Sequence, residues 1–188
     1  TYVIKEDPDD HEAWYNRGLA YYEMDEIEKS LKDNKQALEL YPDYDKAYVG
    51  LGLCYAANGE HSKAIEEYSK AIDLKPGSSL SYYNRALSYQ ELYSYSKSEE
   101  DYTKAIQIND EDEDYFWGRG DLFQEVGRYE ESVEDYTSAI EINDQNENLY
   151  YNRGISYYDM EDYGSAKLDF EKCEELYEDD IDALWYIA

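Results

Sequence analysis

The chain has 188 residues, 46 of them acidic against 17 basic, for a formal net charge of −29, and 25 are tyrosine. Such a field repels phosphate, which excludes nucleic acid and anionic membrane surfaces as partners and favours basic or neutral ones. No run approaches the roughly 20 apolar residues of a membrane span, and no stretch reads as a flexible linker. A plainer reading of the charge stands beside this one: acidic side chains coat a solvated surface and keep a tyrosine-rich chain in solution.

In chain order, a unit of 34 residues recurs without insertion. Residues 1–10 already keep its register, since Pro8 stands where Pro42 and Pro76 stand later, and they read as the tail of a preceding unit. The unit 11–44 follows, with helices expected near 11–24 and 28–41. The units 45–78, 79–112, 113–146 and 147–180 repeat it, and 181–188 begins a further first helix. Each unit carries two helical stripes separated by a break. One such hairpin cannot hide its apolar edge, and stacking the next one does. One continuous all-helical domain, 1–188, is expected. A polar capping helix is missing from both ends, so the sequence reads as a piece of a longer array or one whose ends a partner covers. Trp185, Tyr186 and Ile187 suggest either end-to-end self-association or a fraying tail.

Small residues fall where helices must approach closely. They are Gly18, Gly52, Ala86, Gly120 and Gly154 at the eighth place, Ser30, Ala64, Ser98, Ser132 and Ala166 at the twentieth, and Ala37, Ala71, Ala105, Ala139 and Cys173 at the twenty-seventh. Rings fill the gaps: Tyr21, Tyr55, Tyr89, Phe123 and Tyr157 on the first helix, and Tyr68, Tyr102, Tyr136 and Phe170 on the second. Each buried tyrosine hydroxyl then needs an acceptor or solvent.

This pattern resembles the tetratricopeptide repeat family over 11–180. The resemblance implies an all-α, right-handed superhelical solenoid of stacked antiparallel helix pairs, with a concave groove that binds protein. The departures are Asn34, where the family has a ring, and Asp110, Asp144 and Glu178, where it often has Pro.

Arginine occupies the seventh place in four units, as Arg17, Arg85, Arg119 and Arg153. The same four carry aspartate at the twenty-third, as Asp33, Asp101, Asp135 and Asp169. The second unit changes both together, to Leu51 and Glu67. This joint change predicts an Arg–Asp bridge across each hairpin.

No catalytic constellation, phosphate loop or Cys/His metal spacing appears, so no cofactor or metal is expected. The acidic runs Asn109–Asp114 and Glu178–Asp180 lack the pattern of a calcium loop and read as helix caps. Cys54 and Cys173 lie too far apart in the repeat to pair and read as reduced core residues. They point weakly to a cytoplasmic site, and because the chain starts at Thr1 a leader could have been removed.

The resemblance places the binding surface on the first helices, at Tyr15, Asn16, Leu19, Val49, Leu53, Tyr83, Asn84, Leu87, Trp117, Asp121, Tyr151, Asn152 and Ile155. The partner expected there is a protein or peptide with apolar anchors and some basic residues. The competing reading is that these Asn and Tyr residues only hold helices together. A carboxylate-gripping groove is argued against, because no unit has Lys at the fifth place or Arg at the sixth. Two roles follow: a non-catalytic protein-binding scaffold, or a regulatory or substrate-recruiting segment of a larger enzyme.

Overall fold

A computed structural model of the chain describes the backbone of residues 7–185 and the side chains of residues 7–177. The expected helical tail falls mostly on residues 1–6, outside the described range. So do Tyr186, Ile187 and the side chain of Trp185.

Ten helices and no strands form among the described residues. They are α1 (His11–Glu23), α2 (Ile27–Leu40), α3 (Asp45–Ala57), α4 (His61–Leu74), α5 (Ser79–Glu91), α6 (Tyr95–Ile108), α7 (Glu113–Glu125), α8 (Tyr129–Ile142), α9 (Glu147–Asp159) and α10 (Tyr163–Trp185). First and second helices alternate at 13 and 14 residues until α10, which runs for 23. None is long and apolar enough to cross a membrane.

The helices gather into two compact units, residues 1–108 with three hairpins and 109–188 with two. Within each unit a helix packs chiefly on its hairpin partner and on its neighbour in sequence. First helices also meet one another, α1 with α3, α3 with α5, and α7 with α9. Among the described residues no such contact joins the second helices. The first helices are therefore the closer-spaced layer, and their side is the inner face of each unit.

Close approach inside a hairpin is set by the eighth place. A Cβ added at Gly120 would come within 2.8 Å of the Tyr136 ring, and one at Gly154 within 2.7 Å of Phe170. The rings so admitted, Tyr68, Tyr102 and Tyr136, are the largest fully buried side chains of the chain. Ser30, Ala64, Ser98, Ser132 and Ala166 are sealed in the same layer. Asn34, in the place of a ring, is 1 % exposed. Its Nδ2 donates to the Ser30 carbonyl at 3.0 Å, while its Oδ1 is buried without a partner. It lies over both Gly18 and Gly50, and any side chain at Gly50 would overlap its amide.

Every hairpin turns the same way. The fifteenth residue takes positive φ, whether it is Gly59 (74°) and Gly127 (77°) or Asp25 (58°), Tyr93 (55°) and Glu161 (62°). The next N–H reaches back five residues, as in Glu60 to Tyr55 O at 2.8 Å and Arg128 to Phe123 O at 2.8 Å. This is the Schellman closure of a helix C-terminus.

The turns between hairpins come in two chemistries. Where Pro is present, the turn closes through the backbone, Tyr44 N–H to Tyr41 O at 3.2 Å and Ser78 N–H to Lys75 O at 3.1 Å. Where Pro is absent, an asparagine precedes the site and its side chain makes the turn. Asn109 Oδ1 accepts from Glu111 N–H at 3.2 Å, and Asn143 Oδ1 from Gln145 N–H at 3.2 Å. Asn143 sits at φ −136°, ψ 93°, matching Tyr41 before Pro42 at φ −137°, ψ 93°. At Asn143 the missing proline therefore leaves the backbone entering the turn unchanged. The fifth unit has neither device, since Tyr177 and Glu178 fill the two places, and α10 continues through 178–180 to Trp185. The separate helix expected to start at 181 is instead part of α10.

The acidic run at 109–114 serves this local geometry. Asp112 caps α7 by accepting from Asp114 N–H at 3.2 Å, and Asn146 caps α9 in the same manner.

Candidate functional site

The inner face of the first unit is built by α1, α3 and α5. A 13-residue helix turns one stripe of side chains toward α2, α4 or α6 and leaves the opposite stripe free. On that stripe Leu19 and Leu87 are each 38 % exposed, Asn16 is exposed, and Tyr15, Leu53 and Tyr83 are half-buried. Tyr15 packs edge-on against Tyr44 at 5.5 Å, and Tyr83 leans on Tyr102 at 5.9 Å. Each ring thus offers one surface outward while the other is fixed by the second layer. Burial pushes the Tyr44 hydroxyl up to about 12.

Val49 and Asn84 differ from the rest. Val49 is packed into the cluster of Ala64, Tyr68 and Ala71. Asn84 is buried, and its Nδ2 donates to Leu80 O in its own helix at 2.9 Å. These two residues act in packing, with little surface to offer a ligand. Leu80, by contrast, is 51 % exposed. It lines a cleft of about 340 Å³ with Tyr15, Val49, Lys46, Lys75 and Asp45.

In the second unit Trp117 and Asp121 stand one turn apart on α7, and Tyr151, Asn152 and Ile155 follow on α9. Tyr151 is 50 % exposed, its ring lying 5.8 Å from Phe170. Asp121 Oδ1 accepts from the Tyr136 hydroxyl at 2.6 Å and from Asn152 Nδ2 at 3.2 Å. Burial pushes the Asp121 carboxyl above its usual range, and hydrogen bonding from the Tyr136, Trp117 and Asn152 side chains pulls it part of the way back. The Trp117 N–H itself is buried without a hydrogen bond of ordinary geometry.

Behind this face lie the arginine–aspartate pairs. Arg17, Arg85, Arg119 and Arg153 each donate Nε and Nη2 to the two oxygens of Asp33, Asp101, Asp135 and Asp169, at 2.5–2.8 Å. The aspartates are 1–6 % exposed. Two further features went unread in the sequence. Arg85, Arg153 and Arg17 each lie between two rings, Tyr82 and Tyr89, Tyr150 and Tyr157, and Trp14 and Tyr21, at 4.7–5.9 Å. Arg85 Nη1 also donates to Ser69 and Arg153 Nη1 to Thr137, each in the preceding hairpin. In the second hairpin Leu51 instead joins Leu31 and Cys54 in the core, and Glu67 pairs with Lys70 at 2.9 Å.

Two hydroxyl partners and one surface also went unread. The Tyr102 hydroxyl donates to Gln90 and the Tyr136 hydroxyl lies 2.8 Å from the Gln124 side-chain amide, both Gln at the twelfth place; the shared Gln in those two hairpins was the available signal. On the last hairpin Tyr158 and Tyr163 meet edge to face at 5.3 Å and, with Phe170 and Lys167, border a cleft of about 370 Å³.

Among the described residues no three His, Cys, Asp or Glu side chains converge to hold a metal ion. Both cysteines are free; Cys54 is buried, its thiol 3.1 Å from the Ser30 hydroxyl.

Comparison with known proteins bears on the family and the fold. The sequence matches the tetratricopeptide repeat at 11–44, the TPR repeat at 52–92 and 121–161, and the tetratricopeptide repeat again at 80–112 and 147–180. No curated protein matches by sequence. Among solved structures the chain is similar to MamA, with 21 % identity, a TM-score of 0.80 and coverage of 88 % of this chain and 96 % of that one. It is similar to YrrB, described as a TPR protein with an unusual peptide-binding site, at 21 % identity and a TM-score of 0.73 over 99 % and 96 %. PilF of Pseudomonas aeruginosa aligns at 18 % identity and a TM-score of 0.82 over 88 % and 75 %. At these identities the likeness is one of fold.

Proposed function

Since the chain belongs to the tetratricopeptide repeat family, we propose that it is a non-catalytic scaffold that docks a polypeptide segment on the inner face of its first helices. The observation that carries this reading is the exposure of apolar groups at recurring places of the first helices, backed by sealed rings of the second. The second-helix rings Tyr68, Tyr102 and Tyr136 are sealed, while Leu19, Leu87 and Tyr151 on the first helices keep 38–50 % of their surface open. Apolar groups presented in repeat register on the inner face of each unit, held from behind by buried rings and ion pairs, form a surface within that unit that loses little entropy on binding. YrrB, of like fold, is described as binding peptide, which supports the same use here. The net charge of −29 favours a segment with basic residues between its apolar anchors.

The test is selection of peptides from a random display library on the intact chain. Selected peptides should lose affinity for Leu19→Ala, Leu87→Ala and Tyr151→Ala proteins whose helical circular dichroism is unchanged. Undiminished binding to all three variants, or no enrichment of any peptide, would rule this face out.

A further inference from the structure

Asp121 breaks the pattern of its face. The ninth place is Leu19, Leu53, Leu87 and Ile155 in the other four hairpins and a carboxylate only in this one. The charge is placed in a half-buried position and has no counter-ion. The cations of its unit are committed elsewhere, Arg119 to Asp135, Arg128 to Glu131, Arg153 to Asp169, Lys167 to Glu171 and Lys172 to Glu175.

Its Oδ1 takes two protein donors, the Tyr136 hydroxyl and Asn152 Nδ2. The Trp117 indole also engages the carboxylate, so neutral donors orient it and no cation of its unit neutralises it. Tyr136, whose single proton goes to Asp121, also lies 2.8 Å from the Gln124 side-chain amide, so the carboxylate is held from two elements. Trp117, one helical turn earlier, brings an aromatic ring to the same patch. A carboxylate held by neutral donors, partly exposed, without a counter-ion and beside an indole, has the chemistry that recognises an ammonium or guanidinium group. An aliphatic residue in this place would have packed at lower cost. A charge retained against the packing logic of its own repeat marks function.

We propose that Asp121, Trp117 and Asn152 form a subsite for one arginine or lysine side chain of the docked segment. The cation donates to the Asp121 carboxylate and lies against the indole, while Tyr136 and Asn152 hold the carboxylate in place. This deepens the docking reading above and rests on it.

The same random peptide library distinguishes the two claims. Peptides selected on the intact chain should share one basic position. Replacing that residue with norleucine should weaken binding about tenfold to the natural protein and leave binding to Asp121→Asn unchanged. Asp121→Asn keeps the size of the side chain and an acceptor for Tyr136, and its fold is checked by circular dichroism. If peptides are selected and respond to Leu87→Ala but carry no basic position, or lose affinity equally for both proteins when it is replaced, the subsite is wrong and the docking face stands. If no peptide is enriched, or binding ignores the Leu19, Leu87 and Tyr151 substitutions, both fall.

Discussion

At the scale of single residues, buried charge is the main feature. Each Arg–Asp pair is bidentate, mostly buried and tied into ring stacking, so removing one partner leaves the other unpaired in a poorly solvated place. Asp101→Ala should lower stability by about 3 kcal/mol, measured by urea denaturation. The second hairpin carries Leu51 and Glu67 at these two places and folds around them. The double substitution Arg85→Leu, Asp101→Glu should therefore cost less than Asp101→Ala alone, and an additive double-mutant cycle would refute the coupling. Asp121 is the opposite case, a carboxylate with no cation. Its folded pKa is raised by burial, so it costs no stability below the usual carboxylate range, and the folded state loses stability as pH rises from the unfolded carboxylate value up to the raised one. Asp121→Asn should thus raise the melting temperature at pH 7. The gain should shrink to nothing in acid, below the unfolded carboxylate range; a constant gain at all pH values would show that the charge is not its source.

At the scale of elements, the turns between hairpins show how one backbone path is reached by different side chains. Pro42 and Pro76 preset it, whereas Asn109 and Asn143 fold their side-chain oxygens onto the N–H two residues on. Tyr177 and Glu178 do neither, and the helix runs on. Proline should therefore have opposite effects at two equivalent places. Asp144→Pro enters a turn already at the dihedrals that precede Pro42 and should stabilise by about 0.4–1 kcal/mol. Glu178→Pro should break α10 near residue 177, visible as loss of helical Cα shifts beyond it. Retained helical shifts past 178 in that variant would contradict the continuous helix.

At the scale of the whole molecule, 46 acidic side chains against 17 basic ones must be held at close quarters. Folding concentrates that charge, and self-repulsion opposes it. Raising the ionic strength from about 10 mM to about 150 mM shortens the screening length severalfold and should raise the melting temperature. A flat or falling trend in thermal scans would mean that the acidic surface is already well solvated and costs little. The same charge bears on the docking face, because it draws basic segments and slows acidic ones.

The 34-residue register, the alternation of small and ring positions and the joint change at the seventh and twenty-third places were legible in the linear chain. Each is a short-range or strictly periodic consequence of one hairpin packing on the next. What the chain could not reveal was which repeat positions are spent inward. Val49 and Asn84 occupy the same family places as Tyr15 and Asn16, yet they are buried while Asn16 is exposed. Val49 is covered by Ala64 and Tyr68, and Asn84 turns its amide back onto Leu80 of its own helix. The solitary place of Asp121 could be read from the order of residues, but its donors could not. Tyr136 and Asn152, 15 and 31 residues away in sequence, both donate to one of its oxygens, and only the packed tertiary structure brings those donors to the same atom.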